Sequence, residues 1–387
     1  MTIKRFLLSY AALPFLLAAP AFVHAQTYTF MIPLDGFYSA DSAPAGASQI
    51  ECGDSHCYAL VDGSVWSVGL NSRGQLGWGG TTSQSTWGYA NLSGVSEIAA
   101  GQYHGYALKT DGSVWSVGFN SNGQLGRNGT TDQFTWGTTG LTGVSKISAG
   151  SAYGYALKTD GSVWSVGLNS RGQLGRSGDG TTWGATTLSG VSDIAAGPSH
   201  GYALTTDGRV FSVGYNWVGQ LGRSGTTDQS TWGYTGLSGV SKIAAGGSHG
   251  YALKTEGSIW SVGSNWIGQL GRSGTTDQSN WGDANLSGVS KIAAGGSHGY
   301  ALKTDGSVWS VGSNSSGQLG RGGDTNTWGA TTLSGVSDIA SGGSHGYALK
   351  SDGSVWPVGY NYYGQLGLGD TTNRSIWTQL TDPFITP

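Results

Sequence analysis

The chain has 387 residues, only 11% of them charged, and a formal net charge of -3. That balance does not favour the clustered basic surface a polyanion binder needs. Glycine supplies 70 residues without a collagen triplet, and 16 Trp with 18 Tyr are ample for a packed core, which excludes a disordered chain.

In chain order, the first 25 residues read as a secretory signal peptide. Lys4 and Arg5 precede a mostly apolar run from Phe6 to Leu17, and Val23-His24-Ala25 offers a small-residue cleavage site before Gln26. A secreted or periplasmic location is expected. No second long apolar run follows, so no membrane span is expected. Residues 26–48, punctuated by Pro33, Gly36, Pro44 and Gly46, form a leader, and residues 49–387 carry the repeats.

Gly-Gln-Leu-Gly begins at Gly74, Gly123, Gly172, Gly219, Gly268, Gly317 and Gly364, in steps of 49, 49, 47, 49, 49 and 47 residues. A fixed period near 50 marks a repeat architecture. Within one copy, Trp281 to Leu286 leads into Val289 to Ala294, whose alternation favours a strand. Gly299 to Thr304 and Ser307 to Val311 are further strands, separated by Asp305-Gly306, which suits a tight hairpin. Four short strands per unit, with no helix signal, predict an all-β, seven-bladed β-propeller. The first copy lacks a preceding Trp-containing strand, and Ile376 to Leu380 matches it. The ring is therefore predicted to close by pairing the C-terminal strand with the N-terminal repeat.

Gly-x-x-His-x-x-Ala-Leu, Asp-Gly-x-Val and Gly-x-Asn-x-x-Gly-Gln-Leu-Gly resemble the repeat of the regulator of chromosome condensation family from Gln49 to about Leu380. The resemblance implies a seven-bladed propeller. One departure is systematic: where the family has Trp before the glycine of the third strand, this chain has Val68, Val117 and Val166, with an aromatic two residues earlier, as in Trp66, Trp115 and Trp164. The family's best-known activity is nucleotide exchange on a nuclear GTPase; an export signal argues against that role here. Its secreted bacterial relatives include a β-lactamase inhibitor, which implies protein binding across a ring face. Fold alone does not choose among such roles.

His56, His104, His200, His249, His298 and His345 recur at one position, and Tyr153 takes the place of the third copy's histidine. Such a series fits local backbone hydrogen bonding. One residue per blade is too widely spaced for a metal ring, and no single-copy histidine remains in the mature chain as a general base. Catalytic residues, metal and cofactors are therefore assigned to none. Cys52 and Cys57 bracket the first turn and are assigned as a disulfide, with two buried thiols, and lastly a Cys-His-Cys metal site, as the alternatives. Arg127, Arg176, Arg223, Arg272 and Arg321 follow the Gly-Gln-Leu-Gly stretch, with acids a few residues on. A loop ion pair in each blade, or an arginine ring for an anionic partner, fits that pattern.

The two middle residues of Asn-x-x-Gly change from copy to copy while their surroundings stay fixed. Trp217, Val218, Trp266, Ile267, Tyr362 and Tyr363 stand there, with Arg73 and Arg171 in other copies. Clustered surface aromatics mark interaction sites. The expectation is a monomeric, non-enzymatic scaffold that binds a partner protein through these residues. A carbohydrate-binding module using the same rings is the alternative, and a propeller enzyme such as a polysaccharide lyase a third reading. No nucleic-acid partner is expected.

Overall fold

The computed structural model describes residues 46–178 and 180–381, in which strands and turns occur and no helix does. The expected signal peptide and most of the leader lie outside the described residues. Each repeat folds as an antiparallel meander. In the first blade the strands are Gln49–Cys52, His56–Val61, Ser64–Gly69 and Gln84–Tyr89, hydrogen-bonded in that order from inner to outer. Six sheets have four strands and the seventh has three.

The Asp-Gly hairpins come in two forms. In the first blade Val61 pairs with Ser64, and both Asp62 and Gly63 have positive φ, a two-residue turn. The later copies carry one more residue. There the Gly112 N–H donates to the Lys109 carbonyl at 2.9 Å, only the glycine is left-handed, and Asp111 Oδ1 accepts the Ser113 N–H at 2.9 Å.

Neighbouring blades interlock through three side-chain positions. Tyr106, fully buried, lies against Gly154 of the next blade, where a Cβ would overlap its ring. Its hydroxyl donates to the Gln124 carbonyl of its own Gly-Gln-Leu-Gly loop. Trp183, on the next blade's outer segment, covers Gly126 of that loop, 5.5 Å from the Tyr106 ring centre. The same arrangement recurs at every junction, save that Cys57 stands in place of the facing glycine at the closing one. It ends where Tyr347 of the last blade meets Trp87 of the first at 5.8 Å, with Trp87 over Gly367. This repetition closes the seven sheets into a β-propeller. Buried aromatic area of this kind supplies most of the junction energy.

The structure corrects one detail of the closure. The Trp-containing strand is the outer strand of the preceding sheet, not the first strand of the following one. Gln278–Asp283 thus pairs with Ile259–Gly263, through Ser261↔Gly282 and Gly263↔Gln278. The C-terminal stretch accordingly finishes the seventh blade: Thr378 and Leu380 N–H groups donate to the Pro357 and Val355 carbonyls at 3.1 and 2.9 Å. Pro357 stands where other blades have serine and offers no N–H, so this edge stays irregular. The first and last blades instead meet by packing, through a core that includes Ile50, Cys52, Trp87, Tyr347, Leu349 and Leu380.

Candidate binding site

The fixed letters of Gly-x-Asn-x-x-Gly-Gln-Leu-Gly all hold the loop. Asn265 Oδ1 accepts the Leu270 N–H at 2.9 Å, Gln269 Oε1 accepts the Ile267 N–H at 3.1 Å, and the Gly268 N–H returns to the Asn265 carbonyl at 2.8 Å. Gly268 has φ +75°, and a Cβ there would strike the backbone of Asn326 in the next blade. The two middle side chains take no part in this frame. The first projects to solvent: Trp217 is 74% exposed, Trp266 69% and Tyr362 65%. The second leans toward the next blade, leaving Val218, Ile267 and Tyr363 half-buried.

These residues surround one mouth of an axial channel, whose rim is built by the Gly-x-x-His turns and includes Asp54, Gln102, Gly247, Gly296 and Gly343. Trp266 borders two recesses of about 470 Å³ each. One is shared with Val218 and Ser264, the other with Ile267, Ser313 and Tyr360. Trp217 lies on the adjacent loop but makes no ring contact with Trp266 among the described residues. Tyr360, Tyr362 and Tyr363 form their own cluster, with centroids 5.0–6.4 Å apart. Arg73 and Arg171 are engaged within the chain. Arg73 stacks on Phe119 at 4.9 Å and lies 3.5 Å from Asp132; Arg171 stacks on Tyr215 at 5.2 Å and lies 3.4 Å from Asp228.

The residue before the loop asparagine was missed at the sequence level. It reads Leu70, Phe119, Leu168, Tyr215, Ser264, Ser313 and Tyr360, as variable as the middle pair. Where it is Phe119 or Tyr215 an arginine lies over it, and where it is Ser264 or Ser313 a recess opens. Its variability was the signal that could have found it.

Among the described residues, Arg127, Arg223, Arg272 and Arg321 do not form the expected ion pair with the acid of their own loop. Arg127, Arg223, Arg272 and Arg321 turn inward so that Nε donates to the serine hydroxyl of the third strand at 3.0–3.1 Å, and Arg176 does the same at 3.0 Å. The loop acids cap backbone instead: Asp132 and Asp228 accept the Asn120 and Asn216 N–H groups at 2.9 Å.

Two of the six histidines make a side-chain contact across a blade junction, one of them His298, whose Nε2 lies 3.0 Å from Ser341 Oγ. All six are buried, and burial holds their pKa values down, at about 4 for His104 and His200 and about 3 for the other four. Tyr153 marks the acceptors available at this position, donating to the Gly197 and His200 carbonyls of the next blade at 2.9 and 2.6 Å. His345 Nε2 lies 3.0 Å from Cys57 Sγ. Cys52 and Cys57 face each other in register, and their sulfurs are joined. Sulfurs so bonded offer no thiolate to a metal, although His345 completes a three-residue cluster.

The RCC1-like domain family matches residues 32–280, and the regulator of chromosome condensation (RCC1) repeat matches residues 289–318 and 336–365. The chain belongs to the RCC1-like family. Among solved structures it is similar to human WBSCR16, with 24% identity over 83% of this chain and 94% of that one, at a TM-score of 0.74. It is similar to yeast RCC1 (Prp20) in the structure with Kap60, at 22% identity, 84% and 85% coverage and a TM-score of 0.74. Prp20p from Saccharomyces cerevisiae gives 21% identity, 89% coverage of both chains and a TM-score of 0.74. These likenesses establish the fold. A search of curated proteins finds no match.

Deeper in its channel this RCC1-like propeller carries charges the sequence reading passed over. Lys146 pairs with Asp193 and Lys291 with Asp338, each at 2.8 Å across a blade junction. Burial raises Glu51 to about 8 and Glu97 to about 7; Gln49 bonds Glu51 at 3.3 Å, and the Ile147 N–H bonds Glu97 at 3.3 Å.

Proposed function

We propose that this RCC1-like propeller is an exported, non-catalytic scaffold that binds a partner protein through the ring face carrying the Asn-x-x-Gly loops. The observation that carries this reading is the exposure of Trp217, Trp266 and Tyr362 on loops whose fixed Asn and Gln side chains are committed to structure. Rigidly presented aromatics beside recesses are what protein hot spots require. Among similar structures, yeast RCC1 (Prp20) is described bound to Kap60, and Prp20p with binding to Gsp1p and histones. Export rests on Lys4, Arg5, the apolar run and Val23-His24-Ala25.

The test is affinity capture from the source cells with the secreted chain, in parallel with a Trp217→Ala/Trp266→Ala double variant. A protein retained by the first and lost by the second supports the reading. Glycan-array binding lost in the same variant, with no protein captured, supports the sugar-binding alternative instead. N-terminal sequencing of the secreted product is expected to begin at Gln26.

A further inference from the structure

We propose that the junction between the fourth and fifth blades is a socket for an arginine side chain supplied by the partner protein. This rests on the protein-binding reading of the ring face and names what that face recognises.

The repeat itself shows the occupant. At the junction of the first and second blades, Arg73 crosses to Asp132 Oδ2 and its guanidinium lies over Phe119. At the junction of the third and fourth, Arg171 crosses to Asp228 Oδ2 and lies over Tyr215. The three equivalent positions at the fourth–fifth junction are Val218, Asp277 and Ser264. The acid is kept, while the cation and the ring beneath it are gone.

Asp277 retains its loop duty, since its Oδ1 accepts the Asn265 N–H at 2.7 Å as Asp132 and Asp228 do for their own asparagines. Its Oδ2 meets no cation among the described residues. Asp277 is exposed, whereas Asp132 and Asp228 are half-buried beneath their arginines. The missing side chains leave the recess of about 470 Å³ lined by Val218, Ser264, Trp266 and Asp277. The next junction also lacks the arginine and the ring, having Ile267 and Ser313. However, its shortened loop turns Asp324 onto the Asn326 N–H and the Thr327 hydroxyl.

A guanidinium fits this chemistry because it is planar, stacks on an aromatic face and pairs with a carboxylate at the same time. Trp266 supplies the aromatic surface that Phe119 and Tyr215 supply elsewhere, Asp277 the charge, and Val218 an apolar wall for the methylene stem. The partner thus restores in trans the contact that two other junctions make in cis.

The experiment titrates the full chain with acetyl-Gly-Arg-Gly-amide and follows the Trp266 indole N–H by NMR, with the citrulline peptide as the uncharged isostere. Saturable binding of the arginine peptide is expected, at least tenfold weaker for citrulline. Asp277→Asn is expected to weaken it at least tenfold. That variant keeps the loop, because Asn373 makes the same bond to the Asn361 N–H at 2.8 Å in the seventh blade. Val218→Arg is expected to abolish binding by filling the socket in cis. Absence of a saturable shift, equal binding of the two peptides, or binding unchanged in both variants overturns the proposal. A captured partner that depends on Trp217 and Trp266 but not on Asp277 leaves the protein-binding face standing and removes the arginine socket.

Discussion

The blade junctions and the ring face are made from the same seven copies, yet they behave oppositely. At the junctions the Tyr–Trp pair is the same seven times and the facing glycine six times, because each tyrosine ring fills space that the glycine leaves open; only at the closing junction does Cys57 take the glycine's place. A larger residue overlaps, and a smaller one leaves a void in a close-packed interior. On the face, the loop is held by Asn, Gly, Gln and Leu, so the two middle side chains and the residue before Asn are free to differ. The lesson is that variation in this chain reports solvent access and junction filling, whereas repetition reports packing.

Trp87→Ala tests the junction side most severely. Trp87 is fully buried where the last blade meets the first, and its loss is expected to cost about 3–5 kcal/mol in denaturant unfolding. Binding at the face should survive under conditions where the variant remains folded. If its stability is unchanged, the ring does not depend on this seam. Gly250→Ala sharpens the point, because its Cβ would overlap the buried Tyr202 ring; a cost of about 1–3 kcal/mol is expected.

Acid titration probes the same junctions through their histidines. Each has a folded pKa of about 3–4, below the 6.5 of a free histidine. The unfolded chain therefore binds more protons, and the stability from these groups is complete above about pH 6.5 and lost as pH falls toward 3–4. His104→Tyr, which copies Tyr153, removes one such group and should move the acid midpoint lower, as measured by fluorescence against pH. Glu51 and Glu97 act in the opposite sense. Their folded pKa values exceed the ordinary 4.5 of a glutamate, so their contribution is present below about 4.5 and declines as pH rises through 7 and 8. Glu51→Gln should flatten that alkaline decline.

The smallest effect is expected on the face. Arg73→Ala removes a half-exposed ion pair with Asp132 and should cost less than about 1 kcal/mol in thermal unfolding. A larger loss would mean that the filled junctions of the face are structural after all, which would erase the contrast with Val218.

Much of this was readable before any coordinates. The period, the strand composition and the Asp-Gly turns are local, and they specify seven small antiparallel sheets. The exposed aromatics were readable too, because variation inside a fixed loop stands out against its neighbours. The phase of the blades was not. In a repeating chain the Trp-containing strand can be counted with the sheet before it or after it, and both counts satisfy the period. Only the hydrogen bonds between Ser261 and Gly282 and their equivalents assign it, and they move the C-terminal segment from the first blade to the seventh. The engagement of Arg73 and Arg171 was hidden for a related reason. Asp132 and Asp228 lie 59 and 57 residues away in sequence and become neighbours only once adjacent blades pack. Thus the sequence by itself determined the unit and its number, since strand pattern and turn chemistry act over a few residues. The tertiary structure decided which copies touch, and therefore which acid at the ring face is left without its cation.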